Sequence, residues 1–144
     1  MKTTKEIKAD YLAFIDGIPD HLETMERLME LSETTYSYEE IDSVRDFYAA
    51  NFKSPEKKGV SRDELSAAFC AYAGEAFMHH CRGDWDLSKL KSDEAYGSAI
   101  ILGWGKAGKP HARISPSVWK SQIEKGQLRE KLSDAINAAK TRPN

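Results

Sequence analysis

Apolar positions in the first half of the chain recur at helical spacing. Ile7, Tyr11, Phe14 and Ile15 form one stripe, ended by Gly17 and Pro19. Leu22, Met25, Leu28 and Met29 form a second, which Pro19-Asp20 opens. Ser37-Tyr38-Glu39-Glu40 is a capping-box pattern, a hydroxyl to accept the N3 amide and a glutamate to reach back. It starts a third helix, whose buried face is Ile41, Val44, Phe47 and Tyr48, and residues 54–59 read as a loop. Ser61-Arg62-Asp63-Glu64 is another capping box, followed by a stripe of Leu65, Phe69, Tyr72, Ala73, Ala76 and Phe77. The opposite side of this fourth helix carries Ala67, Cys70, Ala71, Gly74 and Met78. A helix apolar nearly all round is normally buried, so this one is expected to be the central helix, with Glu75 its one fully charged side chain between Leu65 and Cys81.

After Gly83 the period changes. Trp85 and Leu87 alternate with Asp84 and Asp86 as on a half-buried strand, and residues 98–102 form a short, partly β-branched apolar run. A turn is expected from Gly105 to Pro110 and a returning strand from His111 to Ile114. Ser115-Pro116, an N-cap followed by proline at N1, opens a helix through Val118, Trp119 and Ile123 to Gly126. Leu128, Leu132, Ala135 and Ile136 carry a last helix, and residues 141–144 a frayed tail. The fold class expected is α+β in one domain, 1–144: a helical amino-terminal half, a small antiparallel sheet of about three strands, and carboxyl-terminal helices.

Composition adds bounds. An apolar fraction of 40% and a charged fraction of 31% belong to a globular chain. The amino terminus has lysines but no apolar run behind them, and no stretch approaches the roughly 18–20 apolar residues of a membrane span. Cys70 and Cys81, eleven residues apart on one helix, are separated by roughly 16 Å, too far for a disulfide. These features predict a cytoplasmic protein that binds no membrane.

Charge is unevenly placed although the net charge is −2. From Asp10 to Ala50 there are eleven acids against two bases, Arg27 and Arg45; from Trp104 to Asn144 there are nine bases against three acids. Such asymmetry marks partner recognition or, more plainly, solvated helix faces.

The candidate chemistry is sparse. Residues 103–109 match both G-x-G-x-x-G and G-x-x-x-x-G-K, but Pro110 stands where the P-loop hydroxyl belongs and no helix has room to follow, so a hairpin turn is expected. Glu75 and His79 share a helix face, yet H-E-x-x-H is absent and histidines suit a helix carboxyl end; no metal and no cofactor is expected. Glu75 itself must be paired, hydrogen-bonded or protonated if buried. The structural reading gives it an arginine, a lysine or loop amides as partner; the functional one makes it an acid or base in a cleft. No nucleophile elbow occurs, and Cys70 lies among apolar residues where a thiol usually only packs. Bases interleaved with Trp104 and Trp119 suit single-stranded nucleic acid, but the chain is not basic overall and carries no RNP, KH or zinc-finger pattern.

Ala71-Tyr72-Ala73-Gly74-Glu75, followed by Gly83-Asp84-Trp85 and later by Pro116, Trp119-Lys120 and Gly126, resembles small bacterial domains of unassigned function in which Y-x-G-E leads to G-x-W. The likeness covers the second half of the chain. Some domains of this kind resemble immunity proteins of toxin systems, so the resemblance implies inhibition by binding and transfers no catalytic residue.

The reading that follows is a non-enzymatic binding protein whose acidic helical face meets a basic protein partner, a toxin being the fitting kind. Its expected contact residues are Glu26, Glu30, Glu33, Glu39, Glu40 and Asp42. Two readings stand beside it: a small enzyme or metal-binding protein with a cleft around Glu75, His79 and Trp85, and a module that forms homodimers through opposed acidic and basic faces.

Overall fold

A computed structural model describes residues 2–105, 113–128 and 131–141 of the chain. Six α-helices and three strands follow one another in the order α1 (Thr4–Asp16), α2 (Ile18–Met29), α3 (Tyr38–Asn51), α4 (Arg62–Cys81), β1 (Asp84–Leu87), β2 (Ala99–Leu102), β3 (Arg113–Ile114), α5 (Pro116–Glu124) and α6 (Leu132–Thr141), with a 3-10 turn at Pro55–Lys58. The architecture is α+β. The strands form one antiparallel sheet in the order β1-β2-β3, with Trp85 opposite Ile101 and Ile101 opposite Ile114.

Helix α4 is the axis of the molecule, packing on α2, α3, α5, α6 and β2. Ten of its residues are buried, including Phe69, Tyr72 and Phe77. Small residues on its other side let neighbours approach closely. Phe77 meets Trp104 edge-on at 5.3 Å and Trp119 at 5.9 Å, and Phe69 meets Tyr48 of α3 at 4.6 Å. Such aromatic contacts add to the burial that stabilises the core. Helix α1 differs: none of its residues is buried, and Ile7, Tyr11, Phe14 and Ile15 are only half-buried against α2 and β1.

The chain leaves α4 through two residues of positive φ, Arg82 (68°) and Gly83 (106°). A Cβ at position 83 would stand 2.7 Å from Ile101 Cγ2 and 2.9 Å from the Leu102 carbonyl, so glycine is required there for space as well as for conformation.

Several expectations shift in detail. The box at Ser61 closes fully, but at Ser37 only half of it forms: the Ser37 hydroxyl accepts the Glu40 amide, while the Glu40 carboxylate turns elsewhere. The loop of residues 54–59 contains the 3-10 turn. Leu128 is buried but precedes α6, which starts at Leu132. Of the glycine-rich segment only Gly103 to Gly105 is described; the rest of it, with the expected turn after Gly105 and the beginning of the returning strand, lies outside the described residues, as do residues 142–144 of the expected tail, while Thr141 closes α6. Among the described residues no helix is long and apolar enough to cross a membrane. Cys70 and Cys81 are both free thiols.

Candidate functional site

The acids expected to meet a partner divide into two groups. Glu30, Glu33 and Glu39 are exposed and Glu26 is half-buried, all on α2, the start of α3, or the connection between these helices. None of the four forms an ion pair among the described residues. The connection is conformationally specific, because Glu30 closes α2 in the left-handed region at φ 56° and Tyr36 adopts φ 58°. A tyrosine in that region is uncommon and persists only where its surroundings over-determine it.

Glu40 does the over-determining. Its carboxylate accepts the amides of Thr35 (3.0 Å) and Tyr36 (3.0 Å), the Thr35 hydroxyl (2.9 Å) and the Tyr72 hydroxyl of α4 (2.6 Å). Burial by itself would push this carboxyl up; the hydrogen bonds from Tyr72, Thr35 and Tyr36 outweigh it and hold the group below the ordinary carboxylate range. Burial and the Glu40 contact push the Tyr72 hydroxyl strongly up, so it remains a donor. Asp42 is likewise occupied internally. It accepts the Ser133 amide (2.9 Å) and hydroxyl (2.6 Å), placing a carboxylate at the amino end of α6, where the helix dipole favours a negative charge. Both carboxylates are engaged within the fold.

Beside the connection lies an aromatic patch that no local pattern in the sequence assembles. Tyr36 packs on Tyr72 and on His79, each with ring centroids 5.4 Å apart, and Tyr38 packs on His80 at 4.8 Å. His80 Nε2–H donates to the Tyr36 carbonyl at 2.7 Å, fastening the connection to the end of α4. Burial raises the Tyr36 hydroxyl above its ordinary range, and the carboxylates of Glu75, Glu40 and Glu26 add to the effect. The available signal was the pair of tyrosines flanking Ser37 and the His79-His80 pair. Nothing local states that they meet.

Among the described residues Glu75 has no arginine, lysine or loop amide as partner. It is half-buried and accepts the Trp85 indole N–H at 2.8 Å. The benzo edge of the same indole abuts Gly74, where a Cβ would stand 2.0 Å from Trp85 Cη2. Gly74, Glu75 and Trp85, the residues of the Y-x-G-E and G-x-W segments, thus form one knot joining α4 to β1. His79 turns to Tyr36 and His80. Among the described residues no group of three or more histidines, cysteines and acids is gathered as a metal site. Cys70 lines a 450 Å³ cleft with Tyr11, Phe14 and Trp85, but burial pushes its thiol up to about 12, so it stays protonated and unreactive near neutrality. Comparison of the chain with protein-family models, characterised proteins and solved structures finds no match.

Proposed function

We propose that this protein is a non-catalytic binding protein of the immunity type, acting in the bacterial cytoplasm by docking a basic toxin on the acidic surface of α2, the α2–α3 connection and the start of α3. The observation that carries this reading is the division of labour among the carboxylates. Glu26, Glu30, Glu33 and Glu39 are left without counter-ions among the described residues, while Glu40 holds the backbone between them. Free acids on the same segment as a held aromatic patch provide what a tight interface uses: long-range attraction for a basic partner and rigid rings as anchors. A held connection also spares the ordering cost that a mobile loop would incur on binding.

The test is association with basic proteins encoded beside this gene, followed by stopped-flow kinetics. The expected outcome is an association rate that falls steeply with salt and drops about tenfold in a Glu33→Lys/Glu39→Lys double variant. Salt-insensitive association at an unchanged rate in that variant overturns the reading.

A further inference from the structure

The molecule has a second exposed face, of opposite sign and on different elements. Among the described residues the most exposed large apolar side chains are Leu12 (49%), Leu90 (56%) and Tyr96 (37%). Leu12 and Tyr96 line one groove of 520 Å³ between α1 and the β1–β2 connection, with Lys8, Lys89 and Lys91 around it, and Leu90 stands between the last two. A 740 Å³ groove adjoins it and shares Lys91 and Tyr96. All three lysines lack an ion pair among the described residues.

The surface is also braced. Asp93 accepts the Ala95 amide (3.1 Å), the Ser88 hydroxyl (3.1 Å) and Arg113 Nη2 (2.5 Å), and Ser88 and Ser98 close the base of the connection by a backbone bond of 2.9 Å. Leu90 and its flanking lysines therefore stand out from a tied loop. Exposed apolar groups gathered along a groove and rimmed by polar residues mark binding surfaces.

We infer that this face is a second docking site, taking an acidic protein segment that inserts apolar side chains into the groove beneath α1. Charge selects the occupant. Unpaired Lys8, Lys89 and Lys91 attract carboxylates, and the groove accepts leucine-sized or aromatic groups. A bilayer fits less well, because Leu12 and Tyr96 line a groove between two elements rather than a flat apolar face.

Fluorescence anisotropy tests this with a short labelled peptide alternating glutamate with leucine and tryptophan. The purified protein is expected to bind it saturably. Affinity should fall about tenfold in Lys89→Glu/Lys91→Glu and several-fold in Leu90→Ser, and between about 0.15 M and 1 M salt. A peptide with serine replacing the apolar residues should bind at least about tenfold more weakly. These substitutions are at exposed positions, and circular dichroism verifies that each variant keeps its fold. Glu39→Lys should leave peptide affinity unchanged, which separates this site from the acidic face. Absence of saturable binding, or equal binding by the loop variants, overturns the inference. So does sedimentation of the protein with phosphatidylglycerol vesicles in place of peptide binding, or a salt-sensitive dimer that Lys89→Glu/Lys91→Glu dissolves.

Discussion

Helices α4 and α1 open on the same chemistry, since Ser61 with Glu64 and Thr3 with Glu6 each close a full capping box. They then diverge. Half of the twenty residues of α4 are buried, and none of the thirteen of α1 is. A cap determines where a helix begins; the angular spread of apolar side chains determines how much of it the fold encloses. Helix α4 offers side chains to neighbours on every side, whereas α1 offers one stripe to α2 and β1 and leaves grooves along its flanks. Burial is accordingly concentrated on α4, and exposed apolar surface on α1.

That contrast can be broken most forcefully in the core. Phe77→Ala removes the ring between Trp104 and Trp119 and should cost about 3–5 kcal/mol in denaturant unfolding. Phe14→Ala on α1 should cost roughly 1 kcal/mol. Equal losses would show that α1 belongs to the core after all. Next in size, Gly74→Ala drives a methyl into the Trp85 ring and should cost about 2 kcal/mol, with loss of the Glu75 hydrogen bond seen as a change in tryptophan fluorescence. Glu75→Gln keeps an acceptor for the indole and should be close to neutral.

Glu40→Gln should cost about 1 kcal/mol at neutral pH. The sign of its pH dependence follows from the folded carboxyl being held low: the ionised group contributes stability above its unfolded pKa of about 4.3, and that contribution is lost as pH falls through the lower folded value. Parent and variant melting curves should therefore converge in acid. A gap that persists there removes Glu40 as the ionised clasp of the connection. The smallest effects sharpen the comparison. Ser61→Ala should lower global stability by about 1 kcal/mol. Thr3→Ala should leave the melting temperature nearly unchanged and appear as faster amide exchange within α1.

Much of the framework was legible because its causes are local. Stripes at helical spacing, the Ser61 box, alternation at Trp85 and Leu87, and proline after Ser115 each act within a few residues. The all-round apolar character of residues 65–81 announced the central helix before any neighbour was known. The acidic bias was visible too, but the role of each acid was not. Asp42 is occupied by Ser133, 91 positions away, and Glu40 by Tyr72, 32 positions away. At Ser37 the pattern was correct and its outcome differed, since the Thr35 and Tyr36 amides compete for the same carboxylate that a capping box would use. The Gly74-Glu75 and Trp85 segments were recognised as a pattern, while their meaning, a ring seated on a glycine and tied to the next residue, required the turn at Arg82 and Gly83 to bring them together.

The clasp at Glu40 grips peptide amides, and those are present whatever side chain occupies most positions. Residues 33 and 34 can therefore be exchanged for others while the path of the main chain between α2 and α3 is kept. The side chains at these tips are thereby separated from the support that carries them, in the way a tool holder accepts different bits.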